Sequence, residues 1–252
     1  MRSERPHIDY DEIAGSYDDH RTGEGPYVER LINLADSPRV GAVVDLGCGT
    51  GNVMRLLARA CQCSFIGVDH SAQMLVRARQ KGLPAYWIRG NIQRLPIAAD
   101  AADGAYGCFV LQHIRDMDAV MGECARVVRP GGFAAFVTSP HSFFARHPMA
   151  MFFPSMVSIE EARFPREEEI ARALDDAGFA DVETEYRESE PRPIDHDFVE
   201  RVANRYISTY RLIPELEFYH GLSCLQAELQ DKPRLDMEMV WEVVTVWGRR
   251  PQ

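Results

Sequence analysis

The chain has 252 residues, with 28 Lys and Arg against 38 Asp and Glu, a net charge of −10. Hydrophobic residues make up 46% and charged ones 26%, the balance of a globular protein able to bury one large core. The negative charge argues against a broad phosphate-binding surface and nucleic acid as partner, and no run approaches the ~20 apolar residues of a membrane span.

The opening Met1-Arg2-Ser3-Glu4-Arg5-Pro6 lacks the apolar core of a signal peptide. Before any strand comes Tyr10-Asp11-Glu12-Ile13-Ala14-Gly15-Ser16-Tyr17-Asp18-Asp19-His20-Arg21, and Val28, Leu31, Ile32 and Ala35 then predict a helix over roughly 26–36. A short β-branched run, Val43-Val44-Asp45-Leu46, leads into Gly47-Cys48-Gly49-Thr50-Gly51-Asn52 and a helix with Val53, Leu56, Leu57 and Ala60 on one face. That is strand, tight turn, helix, the opening unit of a doubly wound α/β sheet. Glycine lets the turn take left-handed angles and lets a ligand approach the main chain, while the helix N-terminus offers free N–H groups.

Further elements follow in the same rhythm. Ser64–Val68 is a second strand, and Ser71 caps a helix that turns Met74, Leu75 and Ala78 inward. Tyr86–Arg89 and Asp103–Val110 are the third and fourth strands. Asp118 is placed as the cap of a helix bearing Val120, Met121, Cys124, Val127 and Val128. Arg129-Pro130-Gly131-Gly132 ends that helix, and Phe133–Val137 is the fifth strand. Residues 139–163, rich in aromatics, show no clean period and read equally as a loop or lid beside the active site or as an irregular packing segment. Pro165 at a first helical position and Gly178 past the end delimit a helix with Ile170, Leu174 and Ala177 inside. Val182, Thr184 and Tyr186 alternate as a sixth strand. Two helices are expected within 190–232, one carrying Phe198 to Tyr210 and one Leu216 to Leu229. A single long strand then runs from Leu235 to Trp247.

The glycine turn departs from the dinucleotide fingerprint G-x-G-x-x-G, which would need glycine at position 52. Asp45, two residues before the first glycine, sits badly beside a pyrophosphate and suits a cationic ligand with an ammonium or a sulfonium. Asp69 ends the second strand eighteen residues beyond Gly51, where an acid accepts hydrogen bonds from ribose hydroxyls. The six cysteines form no C-x-x-C pair and read as reduced core residues of a cytoplasmic protein, and no metal-ligand set appears.

Asp45-Leu46-Gly47-Cys48-Gly49-Thr50-Gly51 resembles the first motif of the class I S-adenosylmethionine-dependent methyltransferases. Asp69, the Gly90-Asn91-Ile92-Gln93-Arg94-Leu95-Pro96 segment, and the helix, Pro-Gly-Gly turn and strand around residue 130 follow in that family's order. The resemblance covers roughly residues 8–140. It implies a Rossmann-like, seven-stranded, mostly parallel sheet whose antiparallel last strand is inserted near one edge. It also implies S-adenosylmethionine as cofactor, with Asp45, Gly47, Gly49 and Gly51 at its amino-acid end, Asp69 at the ribose, His70 and Met74 flanking the adenine, and Asn91 with Ile92 on the adenine edge. Tyr17 and Arg21 would close over it, and Phe109 to His113 would line the floor near the methyl group. In this sequence Asn91 replaces the family's usual acid and Ile92 a small residue. His113 is the candidate general base. No Asn/Asp-Pro-Pro-aromatic motif follows the fourth strand, as it often does in enzymes that methylate exocyclic or amide nitrogens.

One methyltransferase domain is expected over 1–252. It divides into N-terminal cofactor-covering helices (1–36), the core (37–189), a helical insertion (190–232) and the last strand (233–252). The insertion is read as a cap on the acceptor pocket or as a homodimer contact. Phe143, Phe152, Phe153, Tyr206, Tyr210 and Tyr219 hint at a flat or apolar acceptor, such as a natural-product intermediate. The expected function is methyl transfer to a small molecule, mainly by in-line alignment. The alternatives are a non-methylating user of the cofactor, such as a cyclase or a binding protein, and less so a tRNA or protein methyltransferase.

Overall fold

A computed structural model describes residues 8–252; residues 1–6, read above for their lack of an apolar core, lie outside the described part. In chain order the helices are α1 (Tyr10–Ile13), α2 (Val28–Ala35), α3 (Asn52–Ala60), α4 (Ala72–Gln80), α5 (Met117–Val127), α6 (His141–Phe144), α7 (Ser155–Arg163), α8 (Glu167–Asp176), α9 (His196–Ala203) and α10 (Glu215–Leu229). The strands are β1 (Ala42–Leu46), β2 (Ser64–Asp69), β3 (Ala85–Arg89), β4 (Ala102–Cys108), β5 (Val128–Thr138), β6 (Ala180–Glu188), β7 (Arg192–Asp195), β8 (Arg234–Met239) and β9 (Glu242–Arg249). Among the described residues no helix is long and apolar enough to cross a membrane.

The chain divides into two compact units. The larger spans Asp9–Thr138, Pro165–Arg187 and Val243–Gln252. It holds the sheet β3-β2-β1-β4-β5-β9-β6, in which β1 to β5 pair in parallel and β9 runs antiparallel to β5. This is the seven-stranded sheet the sequence predicts, with its last strand one place in from the edge. The core packs β1, β4, β5 and β9 against α5 and α8, around Val44, Leu46, Met121, Phe136, Ile170 and Val246. Ser71 does cap α4, its Oγ accepting from the Met74 N–H. Local details differ from expectation. The cap of α5 is Asp116, whose carboxylate takes the Ala119 N–H, two residues before the expected Asp118. The cap of α8 is Arg166, so Pro165 precedes the helix. On α3 the buried side chains are Asn52, Met54 and Leu57, because the turn delivers the helix rotated from the predicted face. Arg129–Gly132 lies within β5, since Val128 already pairs with Ala102.

The smaller unit includes Ser139–Phe164 and Glu188–Glu242. Its core gathers Phe143, Phe144, Met149, Phe153, Phe198, Tyr210 and Phe218, beside the two-stranded sheet of β7 and β8. Residues 139–163 are therefore helical and not a loop. Pro140 and Pro154 cap α6 and α7, and Pro148 opens a 3-10 turn, a proline signal stronger than the missing periodicity. The helix expected across Phe198–Tyr210 ends at Ala203 and resumes as a 3-10 turn over Ser208–Arg211. Phe143, Phe153 and Tyr210 are buried in this core, so their aromatic content reports packing before it reports an acceptor. The long strand expected over 235–247 is two strands: β8 alternates Leu235 and Met239 inward, while β9 is buried continuously from Val243 to Trp247. That change from period two to an unbroken apolar run marks the break at Val240-Trp241. Trp241 and Ser189 exchange two hydrogen bonds there.

Candidate active site

All of the candidate cofactor residues fall in the larger unit, most of them at the carboxyl ends of its strands. Asp45, next to last in β1, is almost fully buried, its Oδ2 accepting from the Tyr106 hydroxyl on β4 at 2.8 Å. Asp45 and Tyr106 are cross-strand partners in the parallel register, so the sheet itself aims the phenol at the carboxylate. Burial pushes the Asp45 carboxyl up to about 7, against the opposing pull of the Tyr106 bond. A buried acid so placed is ready to ionise against an incoming cation.

The turn that follows takes φ of +67° at Gly47 and +75° at Gly51. A Cβ at Gly47 would also lie 2.4 Å from Val110 Cγ2, and one at Gly51 2.6 Å from the Trp87 ring, so both glycines are fixed by angle and by room. Asp69, at the end of β2, is buried and receives the Gly49 N–H on Oδ2 and the Ser71 N–H on Oδ1, each at 2.8 Å. These bonds tie the acid to the glycine turn and leave its remaining lone pairs for a ligand. His70 is exposed, its Nδ1 3.6 Å from Asp69 Oδ1, whereas Met74 is buried under α4. Asn91 is exposed and spends its Oδ1 on the Gln93 N–H, closing a local turn. The Ile92 side chain packs into the sheet core, so only its main chain is left for the adenine edge.

At the end of β4, Phe109 holds a left-handed φ of +50°, an uncommon angle for a bulky residue and a mark of local constraint. Gln112 Nε2 donates to the Phe109 carbonyl at 2.6 Å, and the Phe109 ring meets Tyr27 edge-on at 5.8 Å. Gln112 Oε1 and, at the end of β5, Thr138 Oγ1 are buried and have no hydrogen-bond partner. Orphaned polar atoms at the carboxyl ends of adjacent strands are what a sheet that receives a polar ligand there would leave. His113 closes the 3-10 turn over Leu111–His113, and its Nε2 lies 2.9 Å from the Tyr10 hydroxyl.

The N-terminal segment is drawn onto this region at several points. Asp11 Oδ1 accepts from Ser71 Oγ and the Gln73 N–H, Arg77 donates to the Gly15 carbonyl, and Tyr10 meets His113. Arg21 donates to the Tyr17 hydroxyl at 3.3 Å, its guanidinium 5.0 Å from the Tyr17 ring centre. Tyr17 and Arg21 carry a signal in the sequence, whereas Asp11, Asp18 and Lys81, which anchor the N-terminal segment, and Tyr106 do not stand out there. For Tyr106 the available signal was its place in the strand that must flank Asp45. Among the described residues no group of His, Cys, Asp or Glu is arranged to hold a metal ion.

Residues 44–136, from β1 into β5, match the methyltransferase domain family known as Methyltransf_11. The sheet order places the same stretch in the arrangement that the glycine turn and Asp69 imply. Residues 44–136 are a methyltransferase domain of the class I S-adenosylmethionine-dependent type. Buried Asp45, the glycine cradle and the orphaned Gln112 and Thr138 atoms near the carboxyl ends of β4 and β5 fit a cationic, polar cofactor of that type. Among curated relatives, malonyl-[acyl-carrier protein] O-methyltransferase of Pectobacterium atrosepticum is 34% identical over 125 residues, half of this chain and 49% of that protein. The chain thus spans about half the length of the curated relatives it matches. In fold, the chain resembles a putative methyltransferase from an antibiotic biosynthesis pathway of Anabaena variabilis (TM-score 0.67, 18% identity, 89% of this chain and 99% of that one). It also resembles phosphoethanolamine N-methyltransferase 2 of Haemonchus contortus, solved with S-adenosyl-L-methionine (TM-score 0.62, 19% identity, 100% and 59%).

Proposed function

We propose that this chain transfers a methyl group from S-adenosylmethionine to a small-molecule acceptor, either free or held as a thioester on a carrier. The observation that carries the reading is the pairing of the Gly47–Gly51 turn with buried carboxylates on both sides, Asp45 at β1 and Asp69 at β2. The bound cofactor supplies an already electrophilic methyl group. Asp45 then balances positive charge, Asp69 orients the ribose, and Arg21 is suited to a carboxylate. What remains for the protein is alignment, worth as much as ~7–11 kcal/mol when reactants are held in a near-attack geometry. The carrier-bound alternative follows from curated relatives named for a malonyl group on an acyl-carrier protein as their acceptor.

Product analysis tests the reading. The protein is incubated with S-adenosylmethionine, a metabolite panel and a malonyl thioester, and release of S-adenosylhomocysteine with a methylated acceptor is expected. Methylthioadenosine as product would point to cyclisation or aminopropyl chemistry, and neither product to binding alone. Asp69→Asn keeps one of the two acceptors, loses the charge and turns an amide NH2 toward the other backbone donor, and is expected to weaken S-adenosylmethionine about tenfold or more by calorimetry. His113→Gln separates two roles for the histidine. A general base would cost ~10²–10⁴ in kcat. With Nε2 committed to the Tyr10 hydroxyl, the expected loss is less than about tenfold, with cofactor affinity unchanged.

A further inference from the structure

Lys81, just past the end of α4, is only 19% exposed at its side chain, and its ammonium has three partners. Nζ donates to Thr50 Oγ1 at 2.9 Å and Asn52 Oδ1 at 2.5 Å, and pairs with Asp18 Oδ2 at 2.8 Å. An ammonium has three protons, so its capacity is spent here. Asp18 Oδ1 in turn accepts from Thr50 Oγ1 and from Asn52 Nδ2, and Asn52 Nδ2 also reaches the Arg21 carbonyl. The four side chains form a closed ring joining the N-terminal segment, the last part of the glycine turn and the end of α4. The residues it fastens from the N-terminal side are the neighbours of Tyr17 and Arg21. Gly23 confirms how tightly the segment lies: a Cβ there would stand 2.7 Å from the Asn52 carbonyl carbon.

A clasp made only for stability is more simply built from apolar contacts, because desolvating a lysine and a carboxylate often offsets their attraction. What an ionic, hydrogen-bonded ring adds is one fixed geometry. Resting on the cofactor assigned above, we propose that Lys81 is a positioning residue for the amino-acid end of S-adenosylmethionine. Through Asp18 and Asn52 it sets the segment that brings Tyr17 and Arg21 to the cofactor's carboxylate.

The test compares two ligands on the full chain by calorimetry. S-adenosylhomocysteine carries the amino-acid end, and 5′-methylthioadenosine lacks its carboxylate and ammonium. Lys81→Met is expected to weaken S-adenosylhomocysteine about tenfold or more while leaving methylthioadenosine within about twofold, and Lys81→Arg to restore most of the loss. Asp18→Asn breaks the ring from the other side and is expected to show the same selectivity, which keeps the test open if Lys81→Met folds poorly. Equal weakening of both ligands would make Lys81 a general support of the turn, and unchanged affinity for both would leave it no role in binding. Either result overturns the proposal. A wild-type protein that binds neither compound would instead overturn the cofactor assignment on which the proposal stands.

Discussion

Replacing Asp45 with asparagine is expected to weaken S-adenosylmethionine about a hundredfold and, at pH 8, to raise the melting temperature of the protein without ligand. Both effects come from one buried carboxyl. In the free protein burial holds a proton on Asp45 up to about pH 7, whereas in the unfolded chain it leaves near 3.8. Between those values the folded state binds more protons, so this contribution to stability is full below pH 3.8, declines as pH rises and is lost above about 7. Asparagine accepts the same Tyr106 hydrogen bond and never has to ionise, so the decline disappears. Binding has the opposite sign. A cationic ligand needs the carboxylate, and removing one member of a buried charge pair typically costs ~2–5 kcal/mol. Wild-type affinity should therefore fall about tenfold per pH unit below about 7, with proton release on binding, and the variant should lose that dependence. Titrations from pH 6 to 9 check both halves. A variant that binds as tightly as wild type would remove Asp45 from the cofactor's amino-acid end.

Gly104→Ala is expected to strain the sheet itself. Gly104 sits mid-β4 opposite Phe133 of β5, and an added Cβ would lie 2.2, 2.4 and 2.7 Å from three atoms of that buried ring. No real Cβ contact is so short, and both groups belong to paired strands whose spacing is set by hydrogen bonds, so neither side gives way easily. Overpacking of this kind costs ~1–3 kcal/mol in ordinary cores. Here the upper end or more is expected, a fall of about 6–12 °C in melting temperature for a chain of this size. Phe133→Leu in the same chain removes the ring and should recover part of the loss. The non-additivity of the pair, measured as a double-mutant cycle in urea, is the check.

The sheet was legible in the sequence because each β-turn-α step repeats its own punctuation. Asp45 and Asp69 stood at strand ends that the glycine turn and the spacing already marked, and Ser71 announced its helix by an ordinary cap. What was misread depended on contacts far away in sequence. Val240-Trp241 interrupts an apparently continuous strand because β8 finds its partner in β7 while β9 finds its partner in β5. Residues 139–163 lack periodicity because short helical turns bury side chains on several faces, and three prolines carried the information instead. The anchors of the N-terminal segment were invisible for a related reason. A ring of Asp18, Thr50, Asn52 and Lys81 has no local pattern, since it is closed only by tertiary structure.

The position of β9 bears on how this chain is made. β5 and β6 are not neighbours; the strand that separates them is β9, which follows both in the chain, and its register with β5 joins Phe133 to Arg249. During synthesis the first five strands emerge long before their bridging partner, leaving the backbone edge of β5 open. β6 has no place in the sheet until β9 arrives beside it. Closing so long a loop adds little to the equilibrium cost, which grows only with the logarithm of its length, but it makes completion of the sheet a slow, late event. The vulnerable species for this protein is therefore a chain that has not yet added β9 and exposes the strand edge of β5.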